Sequence, residues 1–159
     1  MPILPHCALF GATSTTLTLG RACCLADHPP LGLYDPDPQT ALSGALFLGL
    51  SARQSPEQLD PPETPLRVAL VGSAAGLEAT KRLTPQREQP LLVISFFAAE
   101  GEPQEENRCQ ALVEDDSLLE EAAITATVPP LTFRLSGPEA ARREAESFLL
   151  SVSPSFRIT

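Results

Sequence analysis

Residues 66–97 constrain the fold most, because they have the pattern of a strand, a glycine turn, a helix and a second strand. "LRVALV" and "LLVISFF" are continuous apolar runs, which are typical of strands buried on both faces, and "AAGLEATKRL" between them has a helical pattern. The polar segment "TPQREQP" at 84–90 ends the helix before the second strand begins. The sequence therefore predicts a β-α-β unit in the middle of the chain.

The C-terminal part has a β-β-α pattern. "AITATV" at 123–128 and "LTFRL" at 131–135 alternate between apolar and polar residues, which predicts two strands joined at Pro129-Pro130. A helix is predicted over 137–152, with Ser136 as its N-cap and Glu139 completing a capping box.

The N-terminal part is predicted to be mainly strand. "HCALFGATSTTLTL" at 6–19 indicates a pair of strands with Gly11 near the turn, and "RACCLA" at 21–26 a short third strand. The Asp-Pro-Asp-Pro run at 35–38 predicts a loop. "GALFLGL" at 44–50 is apolar on both faces, which predicts a central strand.

These patterns predict one α+β domain over 1–159, with a mixed β-sheet and two main helices. The polar, proline-rich segment 53–65 is expected to be a surface loop with at most one helical turn. The acidic segment 98–107 is expected to be a loop that leads into the strand "RCQALV". It could form either a long hairpin or a cross-sheet connection.

The charge excludes several classes of partner. The chain has 11 basic and 20 acidic residues and a net charge of -9, which opposes binding to nucleic acid or anionic lipid. No apolar stretch reaches the roughly 20 residues that a bilayer requires, and the N-terminus lacks the basic region of a secretory signal. We therefore expect a cytoplasmic protein without nucleic-acid or membrane partners.

No catalytic or metal-binding pattern stands out. Asp35 and Asp37 each precede a proline in a turn, where aspartate is common, and no nucleophile elbow is present. The possible metal donors lack the spacing of a zinc site, and the cysteines among them are expected to be reduced core thiols; the donors are His6, Cys7, Cys23, Cys24 and His28. We predict no catalytic residue, no metal and no cofactor.

The turn from Gly72 to Gly76 raises the question of phosphate binding. Only three residues separate the two glycines, Leu77 and not lysine directly follows Gly76, and Glu78 adds a negative charge where a phosphate would lie. The dinucleotide fingerprint G-x-G-x-x-G is also absent. The turn is therefore interpreted as a structural corner, and a ligand site at Gly72, Ser73 and Gly76 remains as the alternative.

The apolar residues suggest an interface. Two helices are too few to cover both faces of the predicted sheet, so one face is expected to need a protein partner or a second copy of the chain. The candidate interface residues belong to the predicted strands at 44–50 and 91–97; they are Leu46, Phe47, Leu48, Phe96 and Phe97.

Two segments resemble the small proteasome assembly chaperones. They are "SGALFLGLSA" at 43–52 and "VALVGSAAGLEATKRL" followed by "LLVISF" at 68–96. The resemblance implies a subunit that pairs with a related subunit and does not catalyse a reaction. We therefore predict a non-catalytic interaction or assembly subunit. The alternative is a small ligand-binding or nucleotide-binding domain, or an enzyme, that uses the Gly72–Gly76 turn.

Overall fold

Eight strands form one sheet in the computed structural model, which describes residues 5–83, 90–98, 105–115, 117–125 and 127–159. The strand order is β3-β2-β1-β4-β5-β6-β7-β8. All neighbouring strands are parallel except β6 and β7, which are antiparallel, so the predicted mixed sheet is confirmed. The strands are β1 (Cys7–Phe10), β2 (Leu33–Tyr34), β3 (Ala52–Arg53), β4 (Val68–Val71), β5 (Leu92–Ser95), β6 (Arg108–Val113), β7 (Thr132–Ser136) and β8 (Arg157–Ile158).

Helices cover both faces of this sheet. One apolar cluster joins the sheet to α1, α2, α4 and α5, and a second joins the opposite face to α3 and a short 3-10 helix, Pro56–Leu59. The α+β class is confirmed, but the described residues form five α-helices where two main ones were predicted. The expected shortage of helix, and the uncovered sheet face inferred from it, were wrong. The helices are α1 (Ser14–Leu25), α2 (Pro38–Leu48), α3 (Ala74–Lys81), α4 (Ser117–Thr125) and α5 (Glu139–Val152).

The central β-α-β unit is confirmed as β4, α3 and β5. The two strands are parallel neighbours, and all four residues of each are buried. Strand β7 and helix α5 are confirmed as well, although α5 begins at Glu139 with Pro138 as its N-cap. Ser136 is the last residue of β7, so the predicted capping box was wrong.

The strands predicted over 11–19 and 21–26 were wrong, because Phe10 ends β1 and both segments belong to the turn and helix that follow. Threonine favours strands, yet here its hydroxyl groups are satisfied inside the helix. Thr18 Oγ1 donates to the carbonyl oxygen of Ser14 at 2.8 Å, and the side chain of Thr13 caps the helix. These local bonds allow a threonine-rich α1.

The strand predicted at 44–50 was also wrong, since residues 38–48 form α2. Asp37 caps this helix, Pro38 occupies its first turn, and Gly49 ends it in the left-handed conformation with φ of +72°. Proline at the start and glycine just past the end are the usual signals of helix boundaries. Small residues, Ala41, Gly44 and Ala45, form its buried side.

Two further corrections concern the region after β5. Strands β5 and β6 are parallel, so the hairpin considered for the acidic segment was wrong; residues 99–104 of that segment lie outside the described residues. Residues 123–125 belong to α4, so the strand predicted at 123–128 was wrong. The strand "RCQALV" is confirmed as β6, and the 3-10 helix is the single helical turn expected in 53–65.

The cysteines are free thiols, and three of the four are buried. Cys7 on β1 and Cys23 on α1 bring their sulfur atoms to 3.9 Å from each other. The hydrogen bond with Cys7 and burial raise the pKa of Cys23, and burial raises the pKa of Cys109 to about 11. Within the described ranges, no three histidine, cysteine or acidic side chains lie together as a metal site, and no helix is both long and apolar enough to cross a membrane.

Candidate functional site

The strand order reverses between β1 and β4. From β1 the chain proceeds outward to β2 and β3, and from β4 it proceeds outward in the other direction to β5 and β6. In open α/β sheets, ligands bind at such a reversal, in the crevice beyond the carboxyl ends of the two strands. Here the crevice lies between the turn after β1, residues 11–13, and the turn after β4, residues 72–73.

Gly11 begins the first turn and requires glycine for two reasons. Its φ of +95° lies in a region that residues with a β-carbon rarely adopt. A β-carbon at this position would also lie 2.7 Å from Ser73 Oγ, on the second turn. Gly11 N donates to the carbonyl oxygen of Tyr34 at 2.8 Å, which fixes the turn to the end of β2.

Thr13 and Thr16 shape the start of α1, which directly follows the first turn of the crevice. Thr13 Oγ1 accepts from Thr16 N at 3.3 Å, and Thr16 Oγ1 accepts from Thr13 N at 2.9 Å. Thr16 Oγ1 also donates to the carbonyl oxygen of Gly11 at 2.7 Å. A helix N-terminus in this position favours an anionic ligand.

Asp35 connects the end of β2 to the first turn. Its Oδ2 accepts from Ala12 N at 2.9 Å, and its Oδ1 accepts from Asp37 N at 2.9 Å. Asp35 is half-buried, whereas Asp37 is exposed. The hydroxyl group of Thr40 and the backbone N–H of Gln39 lower the pKa of Asp37, so this second carboxylate is ionised at neutral pH.

The glycines at 72 and 76 serve close packing. A β-carbon on Gly72 would lie 2.8 Å from Thr13 Oγ1 and 2.9 Å from the carbonyl oxygen of Gly11. A β-carbon on Gly76 would collide with the carbonyl oxygen of Phe10. Ser73 Oγ accepts from Gly76 N at 3.1 Å and so caps α3. This geometry favours the interpretation of the turn as a corner, and ligand binding by these three residues stays a prediction.

Sequence reasoning gave other roles to the residues that form the other side of the crevice. It placed Gly11 near a turn between two strands and Thr13 in a strand, and it interpreted Asp35 as a turn residue. One signal was available: a glycine directly after the apolar run of β1, with an acidic residue about 20 positions further on, is the spacing of a dinucleotide-binding unit. It was obscured because Thr13 and Thr16 occupy the second and third glycine positions of the fingerprint.

The predicted interface residues do not share one surface. Leu46 and Phe47 are exposed on α2, by 73% and 45%, and Leu48 is half-buried there. Phe96 is buried instead, with its ring centre 5.9 Å from that of Phe133, and Phe97 is half-buried. Their placement on two strands of an open sheet face was therefore wrong, while a partner at Leu46 and Phe47 stays a prediction.

Among the described residues, cavities are found at both ends of the strands. A groove of about 520 Å³ between α1 and α2 opens beside the first turn, where its lining includes Ala12, Asp37 and Phe47. A larger cavity of about 640 Å³ lies at the amino ends of β1 and β4, where its lining includes His6 and Glu144. Of these two cavities between described residues, the smaller one adjoins the crevice, so size alone does not locate the site.

The order of the first six strands and the crevice at their reversal define a doubly wound fold, and the same strand order occurs in dinucleotide-binding domains. No family profile matches the sequence, and no curated protein matches it. Solved structures do match. A Bacteroides fragilis protein assigned as an NADP oxidoreductase has a TM-score of 0.65 and 14% identity, over 98% of this chain and 59% of that one.

Prephenate dehydrogenase of Aquifex aeolicus is similar in two structures. One, in complex with hydroxyphenyl propionate and NAD+, has a TM-score of 0.65 and 9% identity, over 99% of this chain and 60% of that one. The other has a TM-score of 0.66 and 11% identity, over 96% of this chain and 60% of that one. The present chain thus spans about 60% of the length of these proteins, and at such identities the likeness shows the fold alone.

These neighbours overturn the predicted function. They are oxidoreductases, and the prediction of a non-catalytic assembly subunit or chaperone is contradicted by their fold and by the covered sheet. The alternative of a nucleotide-binding domain is better supported. That alternative placed the site at the Gly72–Gly76 turn, whereas the fold brings the turn after β1 to the same crevice.

Proposed function

We propose that this chain is a nucleotide-binding domain of the kind that dehydrogenases contain, and that Asp35 binds the ribose of an adenosine group. The observation that carries the proposal is the position of Asp35. It follows β2, next to the strand-order reversal, and is hydrogen-bonded to the turn after β1. An acidic residue at this place binds ribose hydroxyl groups in dinucleotide-binding folds.

The hydrogen bonds of Asp35 leave it able to bind a ligand. Each oxygen accepts one backbone N–H, from Ala12 and from Asp37, while a carboxylate has about four acceptor positions. Ribose hydroxyl groups can therefore donate to the remaining positions. A phosphate on the same ribose would meet the charges of both Asp35 and Asp37, so the proposed ligand has free ribose hydroxyl groups.

The nicotinamide dinucleotides that the fold implies fit this chain only in part. The ribose end fits, because Asp35 and the Gly11 turn are in place. The pyrophosphate end does not, because Thr13 has a side chain where the fingerprint has glycine. The proposal is therefore limited to the binding of an adenosine group.

Substitution of Asp35 by asparagine is expected to weaken adenosine binding about tenfold, because hydrogen bonds to a charged group contribute more than bonds to a neutral amide. Asparagine keeps one acceptor oxygen for Ala12 N but puts an NH2 group where Asp37 N now has its acceptor, so a thermal melt verifies that the variant is folded. Dissociation constants from NMR titrations of the purified chain check this. Glu144→Gln is the matched control. It removes one negative charge at the cavity near the amino ends of the strands, away from the crevice, and should leave the dissociation constant for adenosine unchanged. Equal binding by Asp35→Asn and wild type would contradict the role of Asp35.

A further inference from the structure

We infer that Thr13 determines ligand specificity in this crevice, and that it disfavours ligands with a pyrophosphate relative to adenosine itself. The inference rests on the proposed function, because it concerns the same site. It concerns the segment Gly11-Ala12-Thr13-Ser14-Thr15-Thr16, which occupies the place of the fingerprint G-x-G-x-x-G.

The second glycine of that fingerprint lets a pyrophosphate approach the backbone closely. Here Thr13 stands at that position and is the N-cap of α1, in extended backbone conformation. Its side chain extends toward the second turn, since Thr13 Oγ1 would lie 2.8 Å from a β-carbon on Gly72. The side-chain atoms of Thr13 therefore lie between the two turns of the crevice, next to the position that a pyrophosphate would need.

The hydrogen bonds of Thr13 also disfavour the binding of a pyrophosphate. Its Oγ1 caps Thr16 N, one of the N–H groups that a phosphate oxygen could otherwise meet. The proton of Thr16 Oγ1 is already donated to the carbonyl oxygen of Gly11, so Thr13 is the donor in the 3.2 Å contact between the two hydroxyl groups. Both threonine hydroxyl groups are thus engaged within the protein, which lowers the capacity of the helix start to bind phosphate.

The crevice therefore favours the ribose of a dinucleotide and disfavours its pyrophosphate. The ribose meets Asp35, whose carboxylate has acceptor positions left, whereas the pyrophosphate meets a side chain and a capped helix start. The ligand class that fits is an adenosine-containing molecule whose phosphates, if any, do not cross Thr13.

The test is substitution of Thr13 by glycine, with Thr13→Ser as the matched control that keeps both the β-carbon and the cap. Glycine is tolerated at an N-cap, so the variant should fold, which a thermal melt verifies. We expect Thr13→Gly to bind NAD+ at least about tenfold more tightly than wild type, because the crevice gains room and an unpaired donor. The ratio of the affinity for NAD+ to the affinity for adenosine should rise at least about tenfold, whereas Thr13→Ser should keep the wild-type ratio.

Two results would overturn the inference, and they are distinguishable. If Thr13→Gly gains nothing for NAD+ while adenosine binds to wild type and depends on Asp35, the inference fails and the proposed function stands. If neither ligand binds to wild type or to any variant, the proposed function fails, and the inference fails with it.

Discussion

Replacing Phe133 with alanine is expected to lower the free energy of unfolding by about 4 kcal/mol, the usual cost of deleting a buried phenylalanine ring. Phe133 on β7 is fully buried. Its ring meets those of Phe96 and Phe156 edge to face, with centres 5.9 and 5.2 Å away. The substitution leaves a cavity between the sheet and its helices and removes both ring contacts. Urea denaturation of the purified variant measures the loss.

The control for this prediction is Leu46→Ala on α2. Leu46 is 73% exposed, so its truncation should change the free energy of unfolding by no more than about 0.5 kcal/mol. A loss at Leu46 equal to the loss at Phe133 would mean that the outer side of α2 is covered in solution. The core would then include a surface that packs on the outer side of α2, in addition to the sheet and the described helices.

Gly76→Ala is expected to cost about 3 kcal/mol, toward the upper end for overpacking, because the added β-carbon meets backbone and not a movable side chain. The β-carbon would collide with the carbonyl oxygen of Phe10, at the end of β1. Relief requires that α3 move away from the sheet, which would widen the crevice as well. A lower midpoint in urea, with a native-like circular dichroism spectrum at low denaturant, is the expected observation.

Gly20→Ala is the matched control for Gly76→Ala. Gly20 lies within α1, and a β-carbon there would approach the methyl ends of Leu48 and Leu9, at 2.7 and 2.9 Å. These side chains can rotate, and alanine is favoured over glycine in a helix by about 1 kcal/mol. The net change should therefore be small. Equal losses at Gly20 and Gly76 would contradict the close approach of α3 to β1.

The elements that could be predicted are those in which one sequence signal dominates. Strands β4 and β5 are continuous apolar runs, and the buried stripe of α5 at Ala141, Ala145 and Phe148 follows the helical period. No competing local pattern is present in these segments. The predictions for them were therefore confirmed, with differences of one or two residues at the ends of the three elements.

The first two helices could not be predicted from periodicity, for physical reasons that differ between them. In α1, alternating threonine and leucine has the pattern of a strand, although the hydroxyl groups of Thr13 and Thr18 form hydrogen bonds that suit a helix. In α2, apolar residues lie on the outer side too, so that no polar face marks the helix. Pro38 and Gly49 are signals of the two ends of a helix, but the apolar composition of 44–50 favoured a strand and outweighed them.

Apart from the spacing of Gly11 and Asp35, the candidate site could not be predicted from the sequence, because its parts are distant along the chain. Gly11, Asp35 and Gly72 come together only when β1, β2 and β4 are parallel neighbours. That order follows from the packing of the whole sheet and not from any local pattern. Once it is known, the contact between Ala12 N and Asp35 identifies the crevice directly.

The most direct test of the nucleotide-binding proposal is an NMR titration of the 15N-labelled chain with adenosine, followed at each backbone amide. We expect the largest shifts at Ala12, whose N–H donates to Asp35, and at the neighbouring amides of Gly11 and Gly72. Shifts confined to the cavity at His6 and Glu144, or no shifts at all at millimolar adenosine, would contradict it.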